Sequence, residues 1–206
     1  MASRRHTTLL AVLLAGIIAA TVIAIYARGR SGAASVSPVS LDKLPWPRLV
    51  KVSTPAIGSN GVFEHAYTCD GSDTSPMLTI ELTGNAAKAK SLLIVMFDPD
   101  APRGVFIHWL VYNIPVNSTV VVVPDSLPRQ AVVDGFYQGV NDFGWIGYGG
   151  PCPPPGDQPH RYYIRVFALD SMISLRPGLR LDDVWNVAKS HIIAYGEAVG
   201  TYSRAG

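Results

Sequence analysis

The sequence predicts a mainly β domain of antiparallel strands with a helix near its C-terminus, behind a hydrophobic N-terminal segment. Residues 77–83 alternate apolar and polar side chains with a period of two, as a half-buried strand does. Residues 91–97 form a continuous apolar run, which is typical of a central strand covered on both faces. Gly, Pro and Asp fill the intervening segments, and they favour antiparallel pairing with long loops.

Three further segments predict strands because they are rich in β-branched and aromatic residues, namely residues 108–114, 119–123 and 161–169. From Leu181 onward the apolar residues recur at helical spacing, as far as Ile192. Asp182 and Asp183 suit the first turn of such a helix, where the helix dipole favours negative charge. We expect a strand or extended chain to follow.

The N-terminal segment predicts a membrane anchor. Residues 7–27 contain no charged residue, and 21 residues at a helical rise span about 30 Å, the thickness of the hydrocarbon layer. A signal peptide usually has a shorter apolar stretch, but Gly32-Ala33-Ala34 could serve as a cleavage site, so both interpretations stay open. The predicted organisation is an anchor or signal peptide over residues 1–28, a flexible stalk over 29–47, and a folded domain over 48–206.

Charge and cysteine content restrict the function of the domain. Four of the 17 basic residues flank the apolar run, which leaves 13 basic and 15 acidic residues in 31–206 and argues against nucleic-acid binding. Cys69 and Cys152 lack the spacing of a zinc site, and outside the cytosol such a pair indicates a disulfide. Asn117-Ser118-Thr119 is a candidate glycosylation site. These features favour a domain that faces outside the cell.

Two segments could form a site. In Asp98-Pro99-Asp100-Ala101-Pro102, the two carboxylates point the same way if the backbone is extended. They could line a ligand cage, hold a metal, or accept hydrogen bonds from loop N–H groups. The loop over residues 147–156 is rich in Gly and Pro, so its N–H groups could face an anion. His160 and Tyr162 share one face of the next strand, and the combination suits a phosphate-sized anion.

The same segments resemble the phosphatidylethanolamine-binding protein family, in its bacterial and archaeal branch. The resemblance rests on Asp98-Pro99-Asp100-Ala101-Pro102 with His108-Trp109, and on Asn141-Asp142-Phe143-Gly144. It extends to the run from Gly147 to Pro154 with His160-Arg161-Tyr162, to residues 67–76 and to residues 191–204.

The resemblance implies a β-sandwich-like fold of two antiparallel sheets with one or two C-terminal helices. It also implies a pocket for a phosphorylated anion or a phospholipid headgroup, without catalysis and without a cofactor. By position, the ligand-binding residues would be Asp98, Asp100, His108, Gly150, Pro151, Cys152, Pro153, His160 and Tyr162. It further places Cys69 and Cys152 near the pocket and suggests a cis peptide at Ala101-Pro102.

Other functions find less support in the sequence. Gly-x-Ser-x-Gly and His-Glu-x-x-His are both absent. Cys152 and His160 could form a thiol nucleophile and its base, but a disulfide to Cys69 would remove the thiol. A metal held by Asp98, Asp100, His108 and His160 is a further alternative. The family also includes inhibitors of serine proteases and of kinases, so the alternative function is inhibition of an extracellular serine protease or another protein interaction.

Overall fold

A computed structural model describes residue 41 and residues 44–206 of the chain. In this part, nine strands and one α-helix are arranged as follows: β1 Val50–Ser53, β2 Leu78–Leu82, β3 Ser91–Asp98, β4 Phe106–Pro115, β5 Val120–Val123, β6 Val132–Val133, β7 Phe136–Gln138, β8 His160–Leu169, α1 Leu181–Ala188 and β9 Ile192–Tyr202. None of the helices described is long and apolar enough to span a membrane. The predicted anchor, residues 7–27, lies outside the described residues.

The strands form two sheets, and every strand pair in them is antiparallel. The smaller sheet has the order β1-β2-β5, and the larger one has the order β6-β7-β4-β3-β8-β9. The predicted mainly β class with antiparallel pairing is therefore confirmed. The structure has one α-helix in its described part, where one or two were predicted.

The strand β3 lies in the middle of the larger sheet, and all eight of its residues are buried. Leu92, Ile94 and Met96 belong to the core shared with the smaller sheet, whose β2 contributes apolar side chains. Residues that alternate with them along β3 point to the opposite face. That face is covered by aromatic groups: the Phe167 ring lies 5.2 Å from Trp185 of α1 and 6.2 Å from Trp46. Coverage on both faces explains the uninterrupted apolar run.

Helix α1 ends earlier than the apolar spacing in the sequence predicts. Leu181, Val184, Trp185 and Ala188 are buried, and two aspartates occupy the first turn as expected. Ile192, the last residue of the predicted helical pattern, is instead the first residue of β9 and pairs with Leu169. The pairing with β8 provides backbone hydrogen bonds that the helix would otherwise supply.

The folded domain includes residues that fall within the predicted stalk. Leu41 is buried at 3% exposure, and Trp46 packs edge-on against Phe167. The buried guanidinium of Arg165 donates to the Leu41 carbonyl and forms an ion pair with Glu197, with an N–O distance of 2.6 Å. The chain before β1 is therefore attached to the outer face of the larger sheet.

The register of the central strands brings three strand ends to one edge. Asp98 at the end of β3 pairs with Phe106 at the start of β4, and Phe97 pairs with Tyr163 near the start of β8. Because both pairs are antiparallel, the end of β3 lies between the beginnings of its two neighbours. The polar side chains at these strand ends, Asp98, His108 and His160, are therefore neighbours in space.

A disulfide joins two loops beside this edge, as predicted. Cys69 and Cys152 are bonded, with their Cα atoms 5.4 Å apart and a sequence separation of 83. A hydrogen bond from the Cys69 N–H to the Pro151 carbonyl, at 3.1 Å, supports the same contact.

We expect the double variant Cys69→Ser/Cys152→Ser to be less stable by up to about 4–5 kcal/mol, since the bond closes a loop of 83 residues. Urea unfolding measures the difference. Reduced wild type should approach the variant in stability, and adding reductant to the variant should change nothing. An equal midpoint for oxidised wild type and variant would contradict the expectation.

Candidate functional site

Three buried polar side chains meet at the edge of the larger sheet. Asp98 is the last residue of β3, His108 lies in β4, and His160 is the first residue of β8. Their exposures are 3%, 3% and 5%. All three line a cavity of about 270 Å³. The sequence-based prediction that these residues lie together is therefore matched by the structure.

The Asp98 carboxylate has hydrogen bonds at both of its oxygens. Its Oδ2 lies 2.8 Å from Nδ1 of His160, and its Oδ1 accepts from the Asp100 N–H at 2.8 Å. A carboxylate can only accept when ionised, so His160 Nδ1 carries a proton in this arrangement. The pair fixes the orientation of the His160 ring, and Nε2 is its remaining functional nitrogen.

Burial decides the charge of His108. Its Nδ1 lies 2.7 Å from the Gly149 carbonyl oxygen, which cannot donate, so Nδ1 carries the proton. Burial lowers the pKa of His108, although the hydrogen bond to Gly149 and the charge of Asp98 act in the other direction. The neutral ring is therefore favoured, and Nε2 is then a hydrogen-bond acceptor.

The buried ring of Tyr162 lies beside both histidines. Its ring centroid lies 5.2 Å from that of His108 and 6.5 Å from that of His160. Within the part of the chain that the structure describes, its hydroxyl is the buried side-chain polar atom without a hydrogen-bond partner. Burial and then the charge of Asp98 raise the pKa of Tyr162, so the hydroxyl keeps its proton and can donate.

The sequence profile of the phosphatidylethanolamine-binding protein family matches residues 53–203 of this chain. The chain belongs to this family. A UPF0098 protein of Pyrococcus horikoshii is 44% identical over 158 residues, which cover 75% of this chain and 77% of the relative. A UPF0098 protein of Archaeoglobus fulgidus is 43% identical over 152 residues, covering 73% of this chain and 50% of the relative.

Solved structures of the phosphatidylethanolamine-binding protein family share the fold. YbcL of Escherichia coli, described as a new member of the mammalian family, superposes with a TM-score of 0.66 at 32% identity. The alignment covers 75% of this chain and 98% of YbcL. A homologue from Chlamydia trachomatis gives a TM-score of 0.65 at 32% identity, covering 76% and 99% of the two chains. The domain therefore has the ligand-binding fold of the family.

Asp100 does not point the same way as Asp98, which corrects one expectation from the sequence. Its carboxylate forms two hydrogen bonds with the Arg161 guanidinium, at 2.6 and 2.8 Å, and accepts the Arg161 N–H at 2.9 Å. The hydrogen bonds from the Arg161 side chain lower the pKa of Asp100 to about 2. Asp100 thus anchors the loop to β8 and does not line the cavity beside Asp98.

The peptide bond between Ala101 and Pro102 is trans, since no cis peptide occurs among the described residues. The cis form expected from the resemblance is therefore wrong. The turn is closed without it by the Gly104 N–H, which donates to the Ala101 carbonyl at 3.0 Å. The Asp100 N–H holds Asp98 toward the cavity from within the same turn.

Two N–H groups of the glycine loop, those of Gly149 and Gly150, are bonded within the protein, contrary to the expectation that they face the cavity. The Gly149 N–H donates to the His108 carbonyl at 3.0 Å, and the Gly150 N–H donates to Asp73 at 2.6 Å. A Cβ on Gly150 would lie 2.2 Å from the Tyr67 carbonyl oxygen. The glycine is needed for close packing against the loop that contains Tyr67, and not for access by an anion.

The cavity wall combines predicted and unpredicted residues. Of the remaining predicted residues, Cys152 and Pro153 line it, whereas Gly150, Pro151 and Tyr162 lie behind it. The sequence-based prediction missed these lining residues: Ala101, Pro102, Arg103, Phe106 and Phe143. The Phe106 and Phe143 rings lie 4.7 Å apart and form an aromatic wall. Phe143 stands in Asn141-Asp142-Phe143-Gly144, so the family motif itself was the signal that could have identified it.

The structure bears on two alternative chemistries, a thiol nucleophile at Cys152 and a metal site. The Cys152 sulfur is bonded to Cys69, and no cysteine in the described part is free, so it offers no thiol nucleophile. Asp98 and His160 are hydrogen-bonded to each other, and Asp100 is paired with Arg161. No group of three His, Cys, Asp or Glu side chains that could hold a metal is present among residues 44–206.

We expect the Asp100–Arg161 pair to stabilise the domain above about pH 4 and to lose its contribution as the pH falls toward 2, because the pKa of Asp100 is held below its usual value of 3.8, at about 2. Asp100→Asn should therefore lower the unfolding free energy near neutral pH by less than about 1 kcal/mol, since the pair is partly exposed. The difference in unfolding free energy between wild type and Asp100→Asn should shrink as the pH falls. Urea unfolding from pH 7 to pH 2 measures it.

Asp125→Asn is the matched control, because Asp125 is an exposed carboxylate in another loop. A deficit for Asp100→Asn that is the same at every pH would show that ionisation of Asp100 is not what stabilises the domain.

Proposed function

We propose that the domain binds a small phosphorylated anion or a phospholipid headgroup in the cavity, without catalysis. The observation that carries the proposal is the cluster of buried polar side chains at one end of this cavity, namely Asp98, His108 and His160. Asp98 fixes the His160 ring through Nδ1, so that Nε2 remains for a ligand. A ligand oxygen could accept a hydrogen bond from this buried histidine.

A phosphoryl group can find donors of two kinds here. The Nε2 of His160 would donate from the buried end when the ring carries a second proton. Arg103 lines the mouth, is exposed, and forms no ion pair with any residue that the structure describes. A guanidinium in this position can contact phosphate oxygens with two parallel hydrogen bonds.

Asp98 does not repel the ligand as a bare carboxylate would. One of its oxygens is occupied by the Asp100 N–H and the other by His160. When His160 is protonated on both nitrogens, the pair is neutral as a whole and still donates from Nε2. The carboxylate therefore orients the His160 ring for a ligand.

Protonation links binding to pH through His108. In the cavity its neutral form is favoured, with Nε2 as an acceptor. A phosphoryl ligand can donate a hydrogen bond from a P–OH group to that nitrogen, or its charge can favour the imidazolium form of His108. In both cases formation of the complex takes up a proton. By linkage, affinity falls as the pH rises.

We expect His160→Ala to weaken binding of phosphoethanolamine by about 1.5–3 kcal/mol, the range for a hydrogen bond to a charged group. His108→Ala should weaken it as well, and wild type should bind more tightly at pH 5.5 than at pH 8. Isothermal titration calorimetry of the three proteins at both pH values measures these differences.

Lys88→Ala is the control, because Lys88 is exposed and is not among the residues that line the cavity. Thermal melting of each variant establishes that it is folded. Equal affinities of wild type, His108→Ala and His160→Ala would show that phosphoryl groups do not bind in this cavity.

We further propose that the domain faces the outside of the cell on an N-terminal anchor. The apolar run over residues 7–27 and the disulfide both support this location, since structural disulfides persist in oxidising compartments. Asn117 lies exposed in the turn between β4 and β5, where a glycan could be accommodated.

We expect the full-length protein to stay with membranes during carbonate extraction, whereas a version that begins at Val39 is soluble. The shortened version keeps Leu41, which is buried in the domain, so it should melt at the same temperature as the extracted full-length protein. Detection of a single mature species that begins near Ser35 would instead identify residues 1–34 as a cleaved signal peptide.

A further inference from the structure

The smaller sheet ends in an edge strand that pairs with no second strand in the described part of the chain. In the order β1-β2-β5, strand β5 pairs with β2 on one side only. The side chains of Val120 and Val122 are 49% and 55% exposed, whereas those of Val121 and Val123 belong to the core. Edge strands are usually protected by charged side chains, Pro or a bulge, and the four valines of β5 include none of these.

The hydrogen bonds of β5 show which backbone groups face its open side. The Leu82 N–H donates to the Thr119 carbonyl at 2.8 Å, one position before Val120. Because successive residues direct their N–H and C=O groups to opposite sides of a strand, Val120 and Val122 direct theirs away from β2. The Val120 N–H accordingly donates to the Ser118 hydroxyl, at 3.2 Å, and not to β2.

We propose that β5 is a self-association edge, which pairs antiparallel with β5 of a second copy of this chain. A two-fold axis through Val121 places Val120 opposite Val122 of the second copy, and Val122 opposite Val120. Each of these two pairs exchanges two backbone hydrogen bonds, so that all the outward N–H and C=O groups of Val120 and Val122 are satisfied in both copies. The smaller sheets of the two copies then become one continuous sheet of six strands.

The side chains around this edge suit a second copy. In the proposed register, the exposed valines of both copies form one apolar patch of four side chains. Residues 117–124 contain no charge, so two copies meet there without repulsion between like charges. The Glu81 carboxylate on the neighbouring strand is paired with Lys51, with an O–N distance of 2.7 Å, so it brings no unpaired charge to the patch.

The size of the edge predicts a weak and reversible dimer. Stable specific interfaces bury about 1,200–2,000 Å² in total, and a pair of four-residue strands buries well below this area. The pairing also ends at Pro124, which has no N–H to donate. We therefore expect dimers at high protein concentration and monomers on dilution.

Val122→Lys tests the contribution of this edge to self-association. The substitution changes an exposed side chain and leaves the hydrogen bonds between β5 and β2 in place, but it brings two positive charges close together in the dimer. We expect association to weaken about tenfold or more. Sedimentation velocity of the full chain in a mild detergent, over a range of protein concentrations, measures the association, and thermal melting checks the fold.

Val132→Lys is the matched control. Val132 is 49% exposed and lies in β6, the edge strand of the larger sheet, so this substitution adds the same charge at another edge. This variant should associate as wild type does.

A cross-linking experiment tests the register. The native cysteines are bonded to each other, so only introduced thiols react. Val120 and Val122 of the second copy would have Cα atoms about 5.5 Å apart, which a disulfide can bridge. The same position in the two copies lies about 7–8 Å apart on the diagonal, which is too far. A mixture of Val120→Cys and Val122→Cys full chains should therefore form disulfide-linked dimers on mild oxidation, and each variant alone should form far fewer.

A wild type that is monomeric at every concentration would overturn the inference. So would an association that Val122→Lys and Val132→Lys affect equally, and so would cross-linking that is no stronger in the mixture than in each cysteine variant alone.

Discussion

The site depends on a single buried charge, the Asp98 carboxylate. A carboxylate at 3% exposure is unfavourable unless both of its oxygens are engaged, and here they are, by His160 and by the Asp100 N–H. One partner comes from a strand 62 residues later and the other from the turn that follows β3. The hydrogen bond to His160 therefore requires the antiparallel register between β3 and β8, whereas the one from the Asp100 N–H requires the turn that follows β3. The conformation of the turn, the orientation of the histidine and the pairing of the central strands support one another.

Much of the fold could be predicted because its main strands are long and patterned. The alternation near β2 and the apolar run of β3 reflect one buried face and two buried faces, and sequence periodicity reports both directly. Strands β6 and β7 were missed, since segments of two and three residues are too short to show a period. Strand β9 was only partly predicted, and its start overlaps the helical pattern, which stops where pairing with β8 takes over.

The sequence predicted the part of the site that lies at the ends of strands. Asp98, His108 and His160 stand at the ends of predicted strands, so antiparallel pairing was enough to bring them together. The roles of Asp100 and Gly150 could not be predicted, because each depends on a residue far away in sequence. Asp100 pairs with Arg161, and the Gly150 N–H donates to Asp73, which is 77 residues away. Such contacts depend on how loops pack against one another, and local sequence patterns do not predict them.

The aromatic wall of the cavity gives the protein an optical reporter at its mouth. Trp109 is fully buried and Trp185 nearly so, and Trp46 packs against Phe167, seven residues along β8 from His160. Trp145 is 36% exposed. The Trp145 ring stacks on Phe143 at 4.8 Å, and Arg129 lies 4.8 Å from the centre of its ring. Because Phe143 lines the cavity, a molecule entering there alters the surroundings of this indole more than those of the other three. Selective quenching of Trp145 emission would therefore follow occupancy of the cavity in the unlabelled protein.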